Sequence, residues 1–179
     1  MTVLKPTQNK INVSSLNPAA VCTIVTIIAV MGAFISLQTK NPIWILIFLL
    51  PTVIYEVIRT KEGASTKFSS ILLLIIIIFE ILLILFNISF DLAGFLGAEE
   101  KYVAGYNIPL GDIKIFGPLL LAILSTILIF RTYGPYTKWL SIIIATGALI
   151  AIYLINPQFF QQALKLIVNG LFDRFSYGF

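Results

Sequence analysis

One short polar segment occurs twice in this chain, and each copy separates two long apolar stretches. The first copy begins at Arg59 and the second at Arg131, about 72 residues later. Allowing one gap, Arg, Thr, Gly, Thr, Lys, an aromatic residue, Ser and Ile recur in the same order. A repeat of this length fits two membrane spans plus their loops. The repeated unit is therefore predicted to be a helical hairpin that crosses a membrane twice.

The composition supports a membrane protein. Of the 179 residues, 59% are hydrophobic and only 11% are charged, against roughly 45–50% and about 25% in soluble domains. The chain has room for four or five spans of about 20 residues each. Its long apolar runs lack the alternation that a membrane barrel requires. We therefore predict an all-α, polytopic membrane protein with about five transmembrane helices.

The polar breaks divide the chain into a tail, one transmembrane domain and a C-terminal helix. The first apolar run lacks a small-x-small cleavage pattern, so it is interpreted as an anchor and not as a removed signal peptide. The longest polar connection, residues 91–114, is expected to form a structured cap with one short helix. The predicted boundaries are residues 1–16 for the tail, 17–156 for the domain and 157–179 for the C-terminal helix, with spans at 18–37, 42–58, 68–90, 115–130 and 139–155 and hairpin repeats at about 42–90 and about 115–156.

After Pro157 the pattern changes to apolar residues at helical spacing opposite a polar stripe. Such a pattern predicts an amphipathic helix that lies in the membrane interface or docks on a partner protein, and both interpretations stay open. The expected partners are the lipid bilayer and either another membrane protein or a second copy of this chain. Nucleic acid is not expected, because the basic residues are scattered at span ends. The predicted interface consists of Phe160, Leu164, Ile167, Leu171 and Phe175.

The distribution of basic residues predicts the orientation in the membrane, because Lys and Arg accumulate in cytoplasmic loops. The N-terminal tail and the two repeated segments hold seven of the twelve Lys and Arg residues, and the other side holds five. We therefore predict a multi-pass protein of the plasma (inner) membrane with its N terminus in the cytoplasm and its C terminus outside.

Several classes of chemistry have no residues to carry them. The chain contains no histidine, which excludes serine–histidine catalysis, histidine-ligated zinc and bis-histidine haem. The single cysteine, Cys22, lies inside an apolar run and is too isolated for a thiolate metal site. The acids between spans three and four are spread without the spacing of a calcium loop. The acids between spans three and four are Asp91, Glu99, Glu100 and Asp112. We predict no catalytic residues, no metal and no cofactor.

Glu80 is the main candidate for ion or proton binding, because it lies near the middle of the predicted third span. An ionised carboxylate there costs about 2.5–3.5 kcal/mol on insertion scales, so the group is expected to be neutral or to reach water. The alternative is a protonated Glu80 that shares a hydrogen bond with a neighbouring span. Asn87, two helical turns later on a similar face, is the second candidate. The possible hydrogen-bond partners of Glu80 on neighbouring spans are Ser125, Thr126, Thr146 and Tyr153.

The two repeated basic segments are candidates for binding an anion or a lipid headgroup, because each opens a helix on the same side of the membrane. The simpler interpretation is that these residues fix orientation and turn geometry. Glu56 is expected to be solvated and to pair with Arg59 one turn away. The anion-binding candidates are Arg59, Lys67, Arg131 and Lys138.

Three functional hypotheses follow. The first is a non-enzymatic membrane subunit or scaffold that packs against other membrane proteins. The second is a small proton- or cation-coupled transporter or channel that uses Glu80. The third, an intramembrane enzyme acting on lipid headgroups, has the weakest support, because only Glu56 and the basic segments lie close to one interface.

Overall fold

The computed structural model describes most of the chain as helix. It describes residues 17–60, 64–88, 102–103, 106–107 and 113–176, with side chains for 17–60, 66–88, 113–165 and 168–169. The tail at 1–16 and the short helix predicted within 91–114 lie outside the described residues. The elements are α1 (Pro18–Thr39), α2 (Pro42–Arg59), α3 (Ala64–Leu85), β1 (Tyr102–Val103), β2 (Tyr106–Asn107), α4 (Ile113–Arg131), α5 (Pro135–Ile155) and α6 (Pro157–Ser176). The strands pair antiparallel, with Tyr102 opposite Asn107.

Helices α1 to α5 are each long and apolar enough to cross a membrane. This confirms the predicted all-α, polytopic fold class. Four of the five predicted spans agree with the helices to within a few residues. The third does not, because α3 ends at Leu85 and the predicted span continued to Phe90.

The end of α3 is fixed by backbone geometry and not by hydrophobicity. Asn87 adopts a left-handed conformation with φ of 49°. Its N–H bonds the carbonyl of Ile84, and the N–H of Ile88 bonds the carbonyl of Leu83. This pair of bonds is a Schellman motif, which satisfies the last carbonyls of a helix. Asn tolerates the left-handed region better than other residues with a side chain, so the helix stops within an apolar run.

Three helices begin at the same dipeptide, Asn-Pro. The side chains of Asn17, Asn41 and Asn156 accept hydrogen bonds from backbone N–H groups in the first turns of α1, α2 and α6. Asparagine is a favoured N-cap residue, and proline suits the first helical position because its missing N–H would have no partner there. Each dipeptide therefore starts a helix from local chemistry alone.

Helices α2, α3, α4 and α5 form a four-membered ring in which each helix packs against two others. The neighbours in the ring are α2 with α3, α3 with α4, α4 with α5, and α5 with α2. Helix α1 packs on the outside of this ring against α2 and α5. We call the end where α2 ends in Arg59 and α4 ends in Arg131 the basic end, and the end where α3 ends in Leu85 the opposite end.

The core of the bundle is apolar and closely packed. Because lipid is as apolar as leucine, helices in a membrane associate mainly through close packing and interhelical hydrogen bonds. Three glycines permit such close approach: Gly32 faces Phe48, Gly147 faces Leu49 and Gly117 faces Glu80. The buried cluster consists of Ala29, Ile45, Leu46, Leu49, Val53, Leu73, Ile77, Leu121, Leu128, Ile144, Ala148 and Ala151.

Candidate functional site: two buried carboxylates

Glu80 lies at the α3–α4 interface and is 0% exposed. A Cβ atom on Gly117 of α4 would lie only 2.7 Å from the Glu80 carboxyl carbon. The missing side chain of Gly117 therefore provides the space for this carboxylate. Glu80 is five positions before Leu85, so it lies about 7.5 Å along the axis from the end of α3. The prediction that Glu80 sits near mid-span was wrong, because α3 is shorter at this end than its hydrophobicity suggested.

Asn87 does not share a helix face with Glu80, because α3 ends two residues before it. The Asn87 side-chain oxygen instead accepts a hydrogen bond of 2.8 Å from the Lys114 ammonium at the start of α4. This bond places the end of α3 beside the start of α4. Asn87 is exposed, so it belongs to the surface of the opposite end and not to the interior around Glu80.

The hydroxyls predicted as partners for Glu80 are used within their own helices. Ser125 and Thr126 donate to carbonyls one turn earlier in α4, and Thr146 donates to the Ile142 carbonyl in α5. Tyr153 is 42% exposed and contacts Phe160 edge to face. A hydroxyl has one proton to donate, so none of the three aliphatic hydroxyls also donates to Glu80.

Glu56 is the second buried carboxylate, and here the sequence-based interpretation was wrong. It was expected to be solvated and paired with Arg59, yet it is 0% exposed. Its Oε1 atom lies 3.0 Å from the hydroxyl of Ser141 on α5. The Arg59 guanidinium lies over the ring of Tyr136, 5.7 Å from its centre. Glu56 therefore points between α2 and α5, where the ring of helices encloses it.

The surroundings of Glu56 contain two further buried hydroxyls. Ser141 also lies 3.0 Å from the carbonyl oxygen of Thr137 in its own helix. Thr52, one turn before Glu56 on α2, is 0% exposed. Among the described residues, Thr52 Oγ1 and Glu56 Oε2 have no hydrogen-bond partner. Buried polar atoms without partners are uncommon and are typical of sites that hold a proton, an ion or water.

The four predicted anion-binding residues have different environments. Arg59 and Lys67 are half-buried, and Arg131 and Lys138 are exposed. The contact of Arg59 with Tyr136 joins the end of α2 to the start of α5, so the basic end forms one surface. Beside it, a groove of about 470 Å³ runs between α1 and α5. The groove is lined by Ala19, Cys22, Thr23, Thr26, Ile27, Pro135, Tyr136 and Trp139.

Helix α6 is attached to the bundle at its first turn. Phe159 is buried and packs with Ile115 of α4 and Ile152 of α5. Of the predicted interface, Phe160 is half-buried and Leu164 is 45% exposed. The side chains of Ile167, Leu171 and Phe175 lie outside the described residues. Phe159, which is not part of the predicted stripe, is the buried residue of this first turn, and Phe160 packs against the same cluster.

Together these features define a polytopic helical membrane protein, and in the part of the chain that the structure describes two carboxylates are buried between helices. Comparison of the chain with protein-family models, with curated proteins and with solved structures gives no match.

Glu56 was missed although the sequence carries a signal for its burial. Residues 45, 49, 52 and 56 follow spacings of four, three and four, which is one face of a helix. All four are buried. The face is apolar at Ile45 and Leu49, so continuing it by one and two turns leads to Thr52 and Glu56. From the sequence alone, Arg59 three residues later offers a competing interpretation, an ion pair on the surface of the same helix.

Proposed function

We propose that this chain is a non-enzymatic subunit or scaffold of a membrane assembly, built from two tandem helical hairpins and docking a second membrane protein through α6. We also propose that it resides in the plasma (inner) membrane, with its N terminus in the cytoplasm and its C terminus outside. The basic end then faces the cytoplasm, in agreement with the distribution of Lys and Arg.

Matching positions of the two hairpins support the repeat. Thr60 and Thr132 are both buried, and each donates to the carbonyl four residues earlier, at 2.7 and 2.6 Å. Ser70 and Ser141 are both 0% exposed. Two interfaces join the hairpins, α2 with α5 and α3 with α4. Each interface contains one helix from each hairpin. This is the arrangement expected of parallel repeats related by an axis along the membrane normal.

The observation that carries the subunit proposal is the partial attachment of α6. Phe160 is half-buried against the bundle, whereas Leu164 and Val168, one and two turns further on along the same face, are 45% and 40% exposed. These residues continue an apolar face beyond the point where the bundle covers it. An exposed apolar face on a helix of a membrane protein is covered by lipid or by a partner. We propose that a partner protein covers this face of α6.

The test is gentle extraction from native membranes through a C-terminal tag. We expect a stoichiometric second protein to co-purify with the full chain. Substituting Leu164→Ala and Val168→Ala together is expected to release it, while the thermal unfolding of the bundle stays unchanged. The matched control is Gln161→Ala with Asn169→Ala, which changes two exposed polar residues of the same helix. Retention of the partner after the apolar double substitution, or isolation of the chain alone, would contradict the proposal.

The second candidate function is a proton- or cation-coupled transporter or channel, and the complete burial of Glu80 favours it. A carboxylate inside a membrane bundle often marks an ion path. In sealed vesicles, Glu80→Gln would abolish proton or cation flux on this hypothesis. Flux that persists at the level of the unsubstituted protein would show that Glu80 has a packing role against Gly117.

A further inference from the structure

A group of buried oxygen atoms around Glu56 points to a bound ligand. Glu56, Thr52 and Ser141 are each 0% exposed. One helical turn, about 6 Å along the axis, separates Thr52 from Glu56, and Ser141 faces Glu56 from α5. Of these oxygens, Glu56 Oε2 and Thr52 Oγ1 lack a hydrogen-bond partner among the described residues.

This site has too few hydrogen-bond donors to stabilise an ionised carboxylate. Ser141 has one hydroxyl proton, and its oxygen lies 3.0 Å both from Glu56 Oε1 and from the Thr137 carbonyl oxygen. If Ser141 donates to Thr137, the bond to Glu56 requires a proton on the carboxyl group. If Ser141 donates to Glu56, an ionised carboxylate is buried with a single hydrogen bond. Burying such a charge without compensation is strongly unfavourable, so a proton or a cation must neutralise it.

Among the described residues, no basic group bonds the Glu56 carboxyl group, whose Oε1 atom has Ser141 as its partner and whose Oε2 atom has none. Arg59 is the nearest basic residue along α2, but its guanidinium lies over the ring of Tyr136. From α1, the thiol-bearing Cys22 packs with Tyr55 and Leu140 beside the site. The basic residues at the starts of the adjoining helices are Lys67 on α3, which is half-buried, and Lys138 on α5, which is exposed.

We propose that Glu56, Thr52 and Ser141 form a binding site for one sodium ion, which enters in exchange for the carboxyl proton. Carboxylate and hydroxyl oxygens are the hard donors that such cations prefer. One carboxylate balances one positive charge, so a divalent cation would leave a net charge inside the bundle. The exchange is balanced: the acid and Na⁺ give the sodium carboxylate and H⁺, and the site is neutral before and after. This inference does not depend on the proposed subunit function.

The position of Glu56 gives the site a short route to the aqueous phase. Glu56 is three positions before Arg59, where α2 ends, which is a distance of about 4.5 Å along the axis. Glu80, the other carboxylate that is buried among the described residues, lies near the opposite end of the bundle against Gly117. The site at Glu56 is therefore reached from the basic end.

The direct test is proton release from the purified full-length chain in weakly buffered solution. Adding sodium chloride is expected to release one proton for each Na⁺ bound, whereas choline chloride releases none. Glu56→Gln is expected to abolish both signals, and Thr52→Val to weaken sodium binding about tenfold, a loss of about 1.4 kcal/mol. The matched control is Thr126→Val, which removes an exposed hydroxyl that bonds its own helix. Glu80→Gln is expected to retain the exchange.

A second measurement uses the unsubstituted protein and is independent of the folding of any variant. Dicyclohexylcarbodiimide modifies protonated carboxyl groups in apolar surroundings, and mass spectrometry distinguishes modification at Glu56 from modification at Glu80. Sodium is expected to slow modification of Glu56 at least tenfold, and choline is expected to have no effect. The proposal is overturned if sodium neither releases protons nor protects Glu56, if calcium replaces sodium, or if Glu80→Gln alone removes the exchange.

Discussion

The carboxylate of Glu80 occupies the space that a side chain on Gly117 would require. A Cβ atom at position 117 would overlap one carboxylate oxygen and lie 2.7 Å from the carboxyl carbon. The α3–α4 interface is thus built around an acid on one helix and the absence of a side chain on the other. Close approach of this kind is a common way in which membrane helices associate.

Gly117→Ala is therefore expected to destabilise the bundle by about 1–3 kcal/mol, the usual range for overpacking a well-packed interior. Thermal unfolding of the purified protein in detergent measures the effect. Adding Glu80→Ala removes the overlapping group, so the double variant should lose less stability than the sum of the two single variants. A coupling below about 0.5 kcal/mol would show that the two residues act independently.

Ser141→Ala tests the hydrogen bond across the α2–α5 interface. It removes the only described hydrogen-bond partner of the Glu56 carboxyl group, and leaving a buried polar group unsatisfied costs about 1–3 kcal/mol. Thr146→Ala is the matched control on the same helix, because its exposed hydroxyl bonds only the Ile142 carbonyl. The expected result is a lower unfolding temperature for Ser141→Ala and almost no change for the control. Equal effects would contradict the assignment.

Tyr136→Leu tests the contact that joins the ends of the two hairpins. The Arg59 guanidinium lies 5.7 Å from the centre of the Tyr136 ring, and a cation–π contact at a partly exposed site contributes about 0.5–1 kcal/mol. Tyr136→Phe retains an aromatic face, so it should keep most of this stability, whereas Tyr136→Leu should lose it. Both variants are compared by thermal unfolding. A similar loss for both would mean that the hydroxyl group matters more than the ring.

Phe159→Ala is expected to detach α6 from the bundle. Phe159 is buried against Ile115 and Ile152, and truncating a buried phenylalanine costs about 3–5 kcal/mol where the cavity cannot collapse. Hydrogen exchange measured by mass spectrometry should show faster exchange in α6 with little change in α2 and α3. The control is Leu164→Ala, an exposed residue of the same helix, which should leave exchange unchanged. Slow exchange in Phe159→Ala would mean that other contacts hold the helix.

The proposed orientation is tested by cysteine labelling in a background that carries Cys22→Ala. Tyr133 is 100% exposed at the basic end, and Lys40 is exposed between α1 and α2. In intact cells, a membrane-impermeant maleimide should label Lys40→Cys and not Tyr133→Cys. After the cells are opened, both should react. The reverse pattern would invert the proposed topology, because these two positions lie at opposite ends of the bundle.

The sequence by itself determined what depends on local chemistry. Hydrophobicity and length predicted five spans, and the Asn-Pro dipeptide at Asn17, Asn41 and Asn156 starts three helices because its capping groups act on their own chain. Even the end of α3 is local, since the left-handed Asn87 closes the Schellman motif. That stop was missed because hydropathy records the polarity of side chains and not the conformation of the backbone.

Only the tertiary structure decided where the polar groups within the spans point. The same carboxylate at position 56 could be solvated beside Arg59 or buried between helices, and the packing of α5 on α2 brings it to Ser141, 85 residues away in the chain. Likewise, no local signal relates Glu80 to Gly117. Contacts between helices depend on how the faces of all five spans fit together, and that fit is a property of the whole bundle. The sequence thus determined the class of protein, and the fold determined its candidate site.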